Sequence, residues 1–130
     1  MLEKFSIETI EAIFDAMPVD LTFVDETDTA RYYSKGDDRI FRRTPAVIGR
    51  KVKDCHPQQS LHKVNQVVSD LKSGRSDVVE FWIDLKGRKI YIRYFAVKDK
   101  AGKYIGALEV TQDITEIQKI AGEKRLLDME

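Results

Sequence analysis

Cys55 and His56 stand side by side, and thiolate and imidazole are both competent axial ligands for a haem iron. The plainer reading, which an adjacent pair alone favours, is a turn before Pro57 in which the two side chains serve local backbone groups. Cys55 is the only cysteine, so neither an internal disulfide nor an all-cysteine zinc site can form. As a lone thiol it reads either as a redox-sensitive group or as a small buried hydrophobe. His62 is the remaining imidazole. Clustered zinc-ligand spacing is absent, and no nucleophile, base and orienting group fall into a recognisable pattern. Gly49, Gly74, Gly87, Gly102 and Gly106 are dispersed as turns require, not gathered into a phosphate loop. Turnover chemistry is therefore not expected. An isomerase-like α+β enzyme would need a pocket acid as base; Asp77 and Asp84 fall at strand ends, and only Glu80 and Glu109 lie mid-strand.

These residues must be carried by a small scaffold. The chain has 130 residues, 42% of them hydrophobic and 34% charged, an ordinary single-domain mix. Lys plus Arg and Asp plus Glu balance at 22 each and no basic block occurs, which gives little support for nucleic-acid binding. No apolar run approaches the roughly 20 residues that span a bilayer, and Met1 to Glu11 has no signal-peptide core. A cytoplasmic protein is expected.

Ile7, Ile10, Phe14 and Met17 recur at helical spacing behind Ser6, a good N-cap, and ahead of Pro18. Asp20–Asp25 and Ala30–Ser34 read as a hairpin around a polar turn. Short helical turns are expected at Arg39–Phe41 and across Ala46–Asp54. A longer helix is expected from about Ser60 to Lys72, striped by Leu61, Val64, Val67, Val68 and Leu71 and stopped by Gly74. Val78–Leu85, Lys89–Lys98 and Tyr104–Gln112 read as a three-stranded antiparallel meander with turns at Lys86-Gly87 and Asp99–Gly102. Thr115 to Glu130 reads as a polar helix with Ile117, Ile120 and Leu127 at heptad-like spacing, and Asp113 or Thr115 as its cap.

The middle meander strand breaks the rule for a sheet with one wet face. Ile90, Ile92, Tyr94 and Ala96 point one way, and Tyr91, Phe95 and Val97 the other, interrupted only by Arg93. Helices can cover one face. The other calls for a terminal helix or a second subunit, because burying apolar surface yields about 25 cal/mol per Å². A homodimer on that face is expected.

Read in order, several segments resemble the PAS family. Phe23-Val24-Asp25 with Arg31-Tyr32-Tyr33-Ser34 is similar to its opening hairpin, and Val47-Ile48-Gly49-Arg50-Lys51 with His56-Pro57 to its middle segment. Val79-Glu80-Phe81-Trp82, Lys86-Gly87-Arg88 and Ile90-Tyr91-Ile92 resemble its central strand pair. Asp99–Gly102, Tyr104-Ile105-Gly106 and Asp113-Ile114-Thr115-Glu116 resemble its closing strand and Asp-Ile-Thr ending. Ser34 departs from the asparagine common at that place. The Cys-His-Pro segment and the Phe-Trp-Ile strand look nearest to PAS domains that accompany hemerythrin-like domains.

The resemblance implies an α+β fold: a five-stranded antiparallel sheet with short helices on one face and flanking N- and C-terminal helices. Residues 1–17 would be the first flanking helix, 18–114 the core and 115–130 a C-terminal signalling helix in which Asp113 and Thr115 transmit the signal. The implied function is a sensor of a small molecule or redox state, with its output domain or partner protein outside this chain. The alternative is a ligand-free dimerisation module. Candidate pocket residues are Phe23, Tyr33, Ile40, Phe41, Ile48, Val52, Val67, Val68, Ile92, Tyr94, Leu108 and Val110, which could equally fill the core and leave no cavity. Haem-binding members carry their histidine on the helix equivalent to that of His62, but His62 sits about 100° around the helix from Leu61, toward the rim. Flavin photosensors place a cysteine three residues after the glycine matched by Gly49. That position is Val52 here, with Cys55 three residues further on, so flavin is disfavoured.

Overall fold

A computed structural model describes residues 1–36, 38–52 and 58–129, with the backbone alone at 58, 59 and 61. Ser6 caps helix α1 (Ile7–Ala16): its hydroxyl accepts the Thr9 amide at 3.1 Å, one of the free donors of the first turn. Met17, next to Pro18, is already extended. Then come β1 (Asp20–Asp25), β2 (Ala30–Tyr33), helix α2 (Gln58–Lys72), β3 (Val78–Leu85), β4 (Arg88–Lys98) and β5 (Tyr104–Asp113). The five strands form one antiparallel sheet in the order β2-β1-β5-β4-β3. The expected α+β, PAS-like architecture is what the chain adopts.

Local chemistry sets the turns. Lys86 and Gly87 both take positive φ, 50° and 78°, the geometry that matches a two-residue hairpin loop to strand twist. Asp25 and Asp99 each turn their own chain, with one carboxylate oxygen accepting the amides two and four residues on. Gly106 lets β1 and β5 close up: a Cβ there would lie 2.3 Å from the Val24 carbonyl oxygen and 2.6 Å from the Phe23 ring.

Strand register divides the sheet into two faces. Ile92 pairs with Thr111, Tyr94 with Glu109 and Ala96 with Ala107, while Thr22 and Val24 of β1 pair with Glu109 and Ala107. These residues share the face over which α2 lies. Arg93 pairs with Val110 and Phe95 with Leu108, and Phe23 with Leu108, on the opposite face. That outer face carries an aromatic and cationic row: Trp82 stands 6.5 Å from Tyr91, and the Arg93 guanidinium lies over the Tyr91 and Phe95 rings.

Helix α1 reaches only the edge of this outer face. Phe14 meets Tyr32 edge-on at 5.9 Å, and Asp15 accepts the Lys35 amide. Trp82 stays 61% exposed, and Ile7 and Ile13 of α1 are exposed too.

Three expected elements differ. Arg39–Phe41 is not a helical turn but a bent loop tied down by the Arg39 side chain. Ala46–Asp54 is not one helix within the described residues: a 3-10 turn stands at Pro45–Val47, Gly49 takes φ 87°, Arg50 and Lys51 turn to meet the β1–β2 loop, and Val52 is again in 3-10 geometry. The tail is not a continuous helix; single 3-10 turns stand at Ile117–Lys119 and Leu126–Asp128, separated by Gly122 at φ 66°. Ile120 and Leu127 are exposed, so nothing packs to offset the cost of nucleating so short a helix.

Candidate functional site

Between α2, the 42–52 segment and the inner face of the sheet lies a partly open cavity of about 770 Å³. The size suits a small molecule of tens of atoms. Its wall is built mainly from one residue type. Val64, Val67 and Val68 come from the stripe of α2, Val47 and Val52 from the linking segment, and Val24 and Val79 from strands. Phe81 and Tyr94, stacked at 6.1 Å, close the β3–β4 side. The floor is low because Ala107 occupies the centre of β5.

Polar groups gather at the same cavity. Thr22, Glu109 and Tyr94 rise from the sheet, Arg42, Arg43 and Thr44 come from the loop, and Lys63 from α2. Glu109 is held from three sides: Thr111, itself 1% exposed, donates its hydroxyl at 3.2 Å, Arg43 lies at 3.8 Å, and the Tyr94 hydroxyl also engages it. Burial, with the Glu109 carboxylate beside it, pushes the Tyr94 phenol well above the ordinary tyrosine range, so it stays protonated. Thr22 receives the Arg39 guanidinium at 3.0 Å. Arg39 also donates to the Leu21, Ser34 and Phe41 carbonyls and lies over Tyr33, which fixes the loop that delivers Arg42 and Arg43.

Of the expected pocket residues, the fold brings Val52, Val67, Val68 and Tyr94 to the cavity. Ile92 shares the inner face but is packed in the filled part of the core, 5% exposed. Phe23, Leu108 and Val110 are on the outer face, because residues on one strand alternate and pairing joins their parity to that of Arg93 and Phe95. Tyr33 lies beneath Arg39 near the sheet edge, and Ile40 and Phe41 belong to the tied loop; none of the three borders the cavity. Ile48 is 42% exposed at the 3-10 turn. The polar members Thr22, Arg42, Arg43, Lys63 and Glu109 escape a search for apolar inward residues. Glu80 and Glu109, the two acids placed mid-strand by the sequence, are the signal that marks the place.

Cys55 and His56 lie outside the described residues. His62 is exposed on α2 and does not border the cavity. No histidine, cysteine or methionine occurs among the described residues that line it, and the Tyr94 hydroxyl is engaged by Glu109. The described lining thus does not fit haem, and an axial ligand would have to come from elsewhere. Val52 borders the cavity where a flavin-adduct cysteine would be needed. Among the described residues no cluster of acids, histidines and cysteine is placed to hold a metal ion, and no helix is long and apolar enough to cross a membrane.

Asp113 and Thr115 form a separate clasp where β5 ends. Asp113 accepts from the Thr115 amide and hydroxyl and pairs with Arg88 at 2.7 Å. The Thr115 hydroxyl oxygen accepts the Lys89 amide, and the Ile114 amide donates to the Lys89 carbonyl. They therefore bind the end of β5 to the start of β4 and do not cap a helix.

A family model described as a PAS domain matches residues 10–115. No protein of curated function matches the sequence. Among solved structures, the C-terminal domain of a protein from Streptococcus mutans is 35% identical, with 90% of this chain and 91% of that one covered and a TM-score of 0.84. The PAS domain of a protein from Colwellia psychrerythraea is 16% identical, with 85% and 98% covered and a TM-score of 0.61. The Aer2 receptor from Vibrio cholerae, described as a dual PAS-heme oxygen sensor, is 16% identical, with 75% and 95% covered and a TM-score of 0.53. The last two share the fold.

Proposed function

The chain belongs to the PAS domain family, and we propose that it is a non-enzymatic sensory module that takes a small molecule into the cavity beneath α2 and passes occupancy on through a homodimer or its C-terminal segment. The observation that carries this reading is the valine-walled cavity of about 770 Å³, which lies against α2 and the Arg39-tied loop. A ligand there borders α2, the loop and all five strands at once, so it can favour one packing of them over another. It shifts the balance only by its difference in affinity for the two.

Transmission has two routes. The outer face, with Trp82 exposed beside Tyr91 and Arg93, gives a second copy an apolar surface to cover. The Asp113–Thr115 clasp ties β4 and β5, which frame the cavity, to the segment beyond residue 115. Output then lies with a domain or partner outside residues 1–130. The balance of the domain is taken as 1–17 flanking, 18–114 core and 115–130 signalling segment. A cytoplasmic setting fits the lone Cys55, and the Cys55-His56-Pro57 and Phe81-Trp82-Ile83 segments favour the group that accompanies hemerythrin-like domains.

The exposed Trp82 also favours a second reading, a dimerisation module that never loads its cavity. Native and denatured mass spectrometry separates the two. The sensor reading expects a native mass that exceeds two chains by one small molecule per chain, and expects Ala107→Phe, which points a ring into the cavity, to remove the excess. A dimer with no excess mass in either protein would leave only the dimerisation module.

A further inference from the structure

The cavity's charge and shape narrow what it takes. Its apolar wall is continuous, but the cations on its rim outnumber the acids that can reach them. Arg42, Arg43 and Lys63 all border it. Of the two lining carboxylates, Glu80 is engaged by the Tyr91 hydroxyl on the outer face, which leaves Glu109. Glu109 lies 3.8 Å from Arg43, beyond hydrogen-bond length, so that guanidinium keeps donors for another oxyanion. Among the described residues neither Arg42 nor Lys63 has an ion-pair partner, and both are exposed. Tyr94, held protonated beside Glu109, adds a hydroxyl inside.

We propose that the ligand is an amphipathic acid: an unbranched or lightly branched apolar chain lying along Val24, Val64, Val67, Val68 and Val79, with one carboxylate or phosphate head at Arg42, Arg43 and Lys63. An anionic head at the rim keeps its charge hydrated on one side and paired on the other, while the chain leaves water. A neutral apolar molecule would leave the three cations unused. A multiply charged small acid would leave the valine wall wet. This inference rests on the cavity being a ligand site.

The test is calorimetric titration of the full chain with decanoate, decyl phosphate and decanol, which share one tail and differ in the head. At least one of the two acids is expected to bind tenfold or more tighter than decanol, and the tighter one identifies the head. Arg42→Gln combined with Lys63→Gln, which leaves Arg43 in place, is expected to cut that advantage at least threefold and leave decanol binding unchanged. Both positions are exposed and have no ion-pair partner among the described residues, and thermal melting confirms that the variant folds. Equal binding of all three probes overturns the acidic head but leaves a loaded cavity. An acid preference that the double variant leaves undiminished overturns the assignment of these cations. Failure of every probe to bind overturns the amphipathic acid, and the mass-spectrometric comparison then decides separately whether the cavity is loaded at all.

Discussion

Ser34 is 1% exposed, and its hydroxyl accepts the Leu21 amide at 2.9 Å while its own amide donates to the Leu21 carbonyl. The pair closes the mouth of the β1–β2 hairpin, and Arg39 fastens the loop to the same two residues. Ser34→Ala would bury an amide hydrogen with no acceptor, a loss of about 1–3 kcal/mol of stability. Urea unfolding followed by circular dichroism should show a lower midpoint with an unchanged slope. An unchanged midpoint would mean that Leu21 finds another acceptor. Ser34 was visible in the sequence as a departure from a common asparagine, but its work is visible only once Leu21 and Arg39 are beside it. A residue's buried partner has no fixed spacing along the chain.

At the scale of elements, the Asp113 clasp is the most exposed to solution conditions. Its hydrogen bonds to Arg88 and Thr115 lower the carboxyl from its ordinary 3.8 to about 2. A depressed pKa adds stability that is complete above the unfolded value and fades as pH falls toward about 2. A carboxyl carbon titration by NMR should therefore give Asp113 a midpoint near 2, and Asp113→Asn should speed amide exchange at Ile114 and Thr115 without changing it at Ile92. A midpoint near 3.8 would show that the clasp does not form. The strands were legible to within a residue because period-two apolar runs and aspartate or glycine turns are local signals. The tail was not, since heptad-like spacing at Ile117, Ile120 and Leu127 makes a helix only when something packs against it, and those residues are exposed.

Across the whole molecule, the sequence revealed that both faces of the sheet are apolar but not which strand faces are joined. Leu108 and Val110 look like pocket residues because they are the large apolar members of β5. Pairing with Phe95 and Arg93 puts them outside, and the inner face receives Ala107 and Glu109. The reason is general: packed surfaces select large hydrophobes, whereas the floor of a hollow selects small or polar side chains. Everything proposed for this chain depends on that hollow being on the α2 side. Xenon enters apolar cavities and shifts the methyl resonances that line them, so methyl carbon–proton spectra of protein refolded free of bound ligand, recorded under xenon pressure, read its position. Val24, Val64, Val67, Val79 and Ala107 are predicted to shift in a saturable way while Leu108 and Val110 stay unmoved. Shifts confined to Leu108 and Val110, or none at all, would contradict the account.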